Sequence, residues 1–258
     1  MASMTTDCYQ WIGSGLYTVA EACRLTGISP GRARRWMRGY SFVRKGEPRT
    51  SPPLILGEYA SNEPGSITLS FMDLVEARFV DAFLKKGVRW PILREAHDKA
   101  AKDLRVTHPF ATRKFATDGH SILARIGQAA ILDIVGGQLG FHRILKDYLV
   151  TGLDFKDQLA VRWWPLGRHR PVVIDASRSF GQPIVNREGV PTAVLHRAYI
   201  AESRSQIDLK SHADSSEAAE SASSTTLHAG AIERVARWYD VERRSVRAAV
   251  EYELQLAA

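Results

Sequence analysis

Residues 17–38 hold a start, a stop and a restart signal for two short helices, and this constrains the chain more than any other feature. Thr18 and Glu21 stand three apart, so hydroxyl and carboxylate can satisfy each other's free amides at a helix N-terminus. Val19, Ala22, Cys23 and Leu25 then fall on one side. Gly27 supplies the left-handed residue that ends such a helix. Ser29 and Pro30 begin another, with a capping hydroxyl and a ring that presets φ at the first helical position. Two short helices joined by a tight turn make a helix-turn-helix.

The second helix, PGRARRWMRG, gives that unit its chemistry. Arg32, Arg35 and Arg38 are three apart and Arg34 and Arg38 four apart, so they share a broad face, while Trp36 and Met37 point inward. Arginine pairs bidentately with guanine or clamps phosphate. Net charge is the deciding composition number. The chain carries +7, and Arg24, Arg32, Arg34, Arg35, Arg38, Arg44, Lys45 and Arg49 against the single acid Glu47 account for an equal excess. The polyanion footprint is therefore local. The expected DNA-binding residues are Thr18, Ser29, Arg32, Arg34, Arg35, Arg38, Tyr40, Arg44 and Lys45.

Prolines and glycines break residues 40–66, and Leu54-Ile55-Leu56 and Ile67-Thr68-Leu69 are expected as two strands of a wing carrying Arg44, Lys45 and Arg49. Ser70 can cap a helix over 71–86, with Phe71, Leu74, Val75, Phe79, Ala82 and Phe83 on its apolar face. Pro91 starts another that runs to about Leu104. Residues 107–175 read as β-rich: a hairpin turning at Asp118-Gly119, then strands at Ile131–Val135, Ala160–Trp164 and Val172–Ile174. A helix is expected over 190–202. Residues 203–229, rich in Ser, Ala, Asp and Glu, predict a disordered insertion. Two more helices follow, Ile232–Tyr239 and Glu242–Leu256, with Val246, Val250 and Leu254 as the last one's apolar stripe.

Enzyme constellations do not assemble. The eight histidines form no His-x₃-His pair and none sits near Cys8 or Cys23, which read as free thiols in a reducing cytosol. Gly136-Gly137-Gln138-Leu139-Gly140 lacks the lysine and hydroxyl of a phosphate loop. Asp73, Glu76 and Asp81 read as the wet side of an amphipathic helix. No metal or cofactor is expected. The N-terminus has no basic start followed by an apolar stretch, and no apolar run is long enough for a bilayer, so the reading is cytoplasmic, without a membrane.

Two resemblances add to this. YTVAEACRLTGISPGRARRWMRGY resembles the N-terminal helix-turn-helix of MerR-like regulators. RPVVIDASRSFGQPIVNREGVPTAVLHRAY, continued by IERVARWYDVERRSVRAAVEYE, resembles an antitoxin-associated domain of VapB type; Gly181, Gln182, Pro183, Ile184, Val185, Gly189, Val190, Pro191 and Thr192 carry the match. That family implies a homeodomain-like helical pair and a neighbouring PIN-like toxin nuclease. Arg237, Arg243, Arg244 and Arg247 become candidates for contacting toxin or DNA.

The expected protein is α+β: a tail (1–15), a winged helix-turn-helix domain with its following helices (16–105), a central β-rich region (106–170) and an antitoxin-like domain (171–258) with the 203–229 insertion. The expected function is a homodimeric, non-enzymatic type II antitoxin that binds double-stranded operator DNA, represses its own operon and neutralises a PIN-like toxin. The alternative is a MerR-like one-component regulator whose central region senses a small molecule.

Overall fold

The computed structural model describes residues 14–55, 59–60, 67–125, 127–145, 152–213 and 227–257. Cys8, the tail to residue 13 and positions 214–226 of the expected insertion lie outside them. The chain forms two units, Met1–Trp163 with Asp175–Gly181, and Trp164–Ile174 with Gln182–Ala258.

In the first unit a short strand β1 (Tyr17–Thr18) leads into α1 (Val19–Thr26) and then α2 (Pro30–Arg38). Both arms of the Thr18–Glu21 capping box form, and Gly27 closes α1 in the left-handed region, its amide bonding Cys23 O at 2.9 Å. A hairpin follows: β2 (Tyr40–Arg44) and β3 (Glu47–Ser51), turning on Lys45 and Gly46. Both turn residues have positive φ, as a two-residue turn between twisted strands requires. The hairpin is not built from the strands expected. Leu54 and Ile55 are buried and unpaired as strand, their amides bonded to Trp36 O, because an apolar run gains more by plugging beneath α2 than by joining an exposed ribbon. Ile67–Leu69 is a strand, β5, but it pairs with β1 and with β4 (Tyr59–Ala60).

Helix α3 (Phe71–Lys85) starts on a second capping box, Ser70 with Asp73, and is the buried centre of this unit. Its apolar residues are buried as expected. Asp73, Glu76 and Asp81 are buried too, which overturns their reading as a wet face. Helix α4 (Trp90–Leu104) packs alongside.

Three helices stand where strands were expected: α5 (Arg113–Arg125), α6 (Ala129–Ile134) and α7 (Gly137–Leu145). Asp118 and Gly119 lie inside α5 instead of in a turn. Phe141 of α7 sits against Gly119 so closely that a Cβ there would meet its ring at 2.8 Å. The rings of Phe79, Phe83, Phe110, Phe115 and Phe141 form one aromatic cluster, with centroids 4.5–6.2 Å apart along it. Burying these rings on helical spacing decides against strands. Of the expected strands, Ala160–Trp164 is found as β7 (Leu159–Trp163), paired with β6 (Leu153–Lys156), and Val172–Ile174 is found as a strand of the second unit.

In the second unit, β8 (Val172–Asp175) pairs antiparallel with β9 (Pro183–Val185). Three helices complete it: α8 (Thr192–Ala213), α9 (Ala229–Tyr239) and α10 (Arg243–Ala257). Residues 203–213, expected in the insertion, continue α8. Val185, Leu195, Ile232, Val235, Val246 and Val250 share a core. Leu254 leaves its expected place and is 45% exposed. Val246 and Val250 are buried as expected, and the buried arc of α10 extends through Ser245, Ala248, Ala249 and Tyr252, with Ala248 and Tyr252 clustered with Val172.

Candidate nucleic-acid interface

The buried stripe of α2 is Ala33, Trp36 and Met37. At 3.6 residues per turn, Arg34, Arg35 and Arg38 fall on the opposite side, and all three are exposed. Arg32 lies on the flank and turns back to α3, its guanidinium 3.1 Å from Asp81 Oδ1, while Lys85 takes the other oxygen at 2.7 Å. Arg35 stands over the Tyr40 ring at 5.9 Å. Arg44 and Lys45 are at the tip of the β2–β3 hairpin, whose residues 41–50 are exposed on both faces. Thr18 and Ser29 differ from these. Thr18 is committed to its capping box, and Ser29 precedes α2 without a side-chain cap bond. Arg34, Arg35 and Arg38 of α2 and Arg44 and Lys45 of the hairpin are thus exposed, Arg32 is held by Asp81, and Thr18 is a scaffold residue by its bonds.

The sequence reading missed what holds this surface. Trp36 stacks on Trp90 of α4, centroids 6.0 Å apart, and Trp90 Nε1 donates to Ser51 Oγ at 3.3 Å. Arg94 donates to Pro53 O at 3.1 Å and to Pro52 O, fixing the chain as it leaves the hairpin. Gly39 lets α2 and β3 meet, since a Cβ there would lie 2.3 Å from Ser51 O. The tryptophans and the glycine were legible as residues; their pairing across 54 positions was not. Burial pushes the Cys23 thiol up while nearby Arg34 opposes the shift, so this cysteine stays an inert part of the packing.

Beneath the surface, Glu76 anchors the α3–α4 region. Its Oε1 accepts from Phe110 N at 3.2 Å and meets His97 Nε2 at 3.2 Å, and its Oε2 meets His108 Nδ1 at 3.1 Å. Burial alone would raise this carboxyl, but the hydrogen bonds of His108 and then His97, with their charge, hold it below the ordinary glutamate value. Among the described residues no group of three or more His, Cys, Asp or Glu could hold a metal ion. No described helix is long and apolar enough to cross a membrane.

The four C-terminal candidates belong to the second unit. Arg243 pairs with Glu233 at 2.6 Å and Arg244 with Glu242 at 2.5 Å; Arg187 also reaches Glu242. These contacts hold the Glu242 carboxyl below its ordinary value, the Arg244 bond foremost. Glu188 Oε1 accepts from Glu242 N and Ser245 Oγ, each at 3.2 Å, so an internal carboxylate occupies the start of α10. Arg237 and Arg247 are exposed and form no ion pair among the described residues.

The N-terminal part of the chain is a helix-turn-helix domain: residues 15–96 match the sequence profile of a family described as "Putative DNA-binding HTH domain". The chain is similar to a Mycobacterium tuberculosis protein named "Putative antitoxin VapB45", 28% identical over 192 residues, which cover 69% of this chain and 80% of that protein. It is also similar to the crystal structure of Rv2018 from Mycobacterium tuberculosis, with a TM-score of 0.59 and 25% identity over 91% of this chain and 96% of that one.

Proposed function

We propose that the protein is a DNA-binding antitoxin. Its first unit binds double-stranded operator DNA, with α2 in the major groove, the β2–β3 hairpin serving as a wing on the phosphates, and two copies of the chain reading two half-sites. In this reading it represses its own operon, works in the cytoplasm and has no catalytic role. Its second unit neutralises a PIN-like toxin nuclease, with Arg237 and Arg247 free to enter an acidic metal site.

The observation that carries the DNA reading is the placement of Arg34, Arg35 and Arg38 opposite the Ala33–Trp36–Met37 stripe. A helix fixed on one side and cationic on the other is what a groove of base edges between phosphates accommodates. The toxin reading rests on the similarity to the protein named as an antitoxin.

The test has two readouts on the full chain. In a gel shift, DNA from upstream of its own coding sequence should bind more tightly than a scrambled duplex of equal length, with affinity falling steeply as salt rises. Co-expressed with the product of the adjacent gene, the chain should co-purify with it and suppress its nuclease activity. Equal binding to the scrambled duplex defeats the operator reading; failure to co-purify or to suppress defeats the toxin reading.

A further inference from the structure

In the first unit, the end of α4, the start of α5 and the turn between β6 and β7 enclose a cleft of about 590 Å³. That lies within the roughly 300–1,000 Å³ typical of small-molecule sites. Leu104 and Val106 give it an apolar wall, and Arg105, Arg113 and Lys114 give it cations. None of the three cations makes an ion pair among the described residues, whereas Arg125, Arg162, Arg170 and Arg187 in the same chain all do. Two acids also line the cleft. Asp103 is already neutralised by Arg125, which leaves Asp118 alone against three cations. The start of α5 adds little to this, since Gln158 O accepts from Arg113 N at 2.8 Å and Thr112 Oγ1 from Phe115 N at 3.1 Å, so the charge of the cleft is that of its side chains.

Arg105 is the second observation. It closes α4 in the left-handed region, at φ 56°, where glycine is the favoured residue and a side chain is strained. Its amide bonds Ala101 O as any residue's would, so the cap itself does not need the guanidinium. The side chain borders this cleft and a neighbouring one of about 710 Å³ lined by Met72, Lys102, His108 and Leu159. Asp240 closes α9 in the same conformation, so the backbone alone assigns no role; what sets Arg105 apart is that its side chain borders two clefts and forms no ion pair among the described residues.

We propose that this cleft binds a small organic anion, a carboxylate or phosphate ester carried on an apolar body. Arg105, Arg113 and Lys114 hold the charged end, and Leu104 and Val106 face the body. The residues that line the cleft include none of the α2 arginines or hairpin cations assigned to DNA.

The probes are 1-anilinonaphthalene-8-sulfonate, an aromatic anion that fluoresces on leaving water, and inorganic phosphate as its competitor. The full-length protein should bind the dye saturably, one per chain, and phosphate should displace it. Arg105→Gly should weaken the dye by about tenfold, the loss of a charge-assisted contact, while its thermal midpoint holds or rises because glycine suits the left-handed cap. Arg113→Ala/Lys114→Ala should weaken the dye comparably and leave binding of upstream DNA, with its salt dependence, unchanged. The proposal is overturned by absence of saturable binding, by dye that phosphate does not displace, or by Arg105→Gly binding as wild type does. It is equally overturned if the double variant loses DNA affinity and salt dependence together, which assigns these cations to a DNA backbone.

Discussion

Helices α2 and α10 are both arginine-rich at their exposed positions, yet the two regions dispose of that charge in opposite ways. Helix α2 buries one narrow stripe and turns Arg34, Arg35 and Arg38 to its exposed side, while Arg32 is drawn back to a buried acid. Helix α10 buries Ser245, Val246, Ala248, Ala249, Val250, Tyr252 and Glu253, most of its circumference, and the arginines of its first turn already have acids beside them. The acids differ too. In the first unit Asp73, Glu76 and Asp81 lie inside and hold the framework; in the second Glu233 and Glu242 lie near the surface and answer the arginines, while Glu188 accepts from Glu242 N and Ser245 Oγ. Counting arginines therefore does not locate a polyanion site. What matters is whether the protein supplies their counterions itself.

The largest expected effect tests that contrast directly. Arg34→Ala/Arg35→Ala should lower affinity for the upstream DNA by about a hundredfold or more, at roughly 1–3 kcal/mol for each base-reading arginine. Arg243→Ala/Arg244→Ala should leave it within about twofold, since those side chains are matched internally and exposed pairs contribute little. Both would be measured by gel shift at fixed salt. If the two double variants lose affinity equally, the distinction between the helices collapses.

A smaller effect separates the two kinds of acid. Glu76→Gln should destabilise the protein by about 3 kcal/mol, because it removes the charge from a buried network that two histidines and a backbone amide converge on. Its pH dependence has a definite sign. The Glu76 carboxyl is held below its ordinary value, so its ionised form stabilises the fold above the unfolded glutamate pKa of about 4.3 and the contribution is lost as pH falls through the lower folded value. Denaturant titrations of wild type and variant should therefore converge on acidification. A gap that stays constant from neutral pH to below about 4 shows that the carboxylate charge is not what the network uses.

Sequence made this comparison legible in part. Local signals carried through: the Thr18–Glu21 box, the Gly27 stop, the Ser70 cap and the phenylalanine spacing of α3 are settled within one or two turns of helix. Distant ones did not. Lys85 is a local partner of Asp81, but Arg32, and for Glu76 His97 and His108, lie tens of residues away, so an acid on a helix read as wet when it was central. Short apolar runs such as Ile131–Val135 do not distinguish strand from helix by period. Asp118-Gly119 carried a turn signal that Phe141 overrode by packing on the glycine. The hairpin was missed for the opposite reason: residues 41–50 are exposed on both faces and leave no alternating pattern to read.

The smallest expected effect is the one that most sharpens the contrast. Glu188 sits at the start of α10, accepting from the amide of Glu242 just before it and from Ser245 Oγ. A carboxylate there does two things. It satisfies donors that a helix start leaves open, and it places negative charge where a DNA phosphate would have to approach if α10 were a recognition helix. Glu188→Ala should cost about 1 kcal/mol of stability, the usual scale of a lost cap. It should leave DNA affinity unchanged, because Glu233 and Glu242 still answer the arginines beside it. The competing view, that α10 is a second DNA reader masked by its own loop, predicts the reverse: removing Glu188 opens an anion site and raises affinity and salt dependence together. Chemical denaturation and a salt-titrated gel shift on the same variant separate the two views. A gain in DNA binding would give the second unit a nucleic-acid role and leave α2 as only one of two readers.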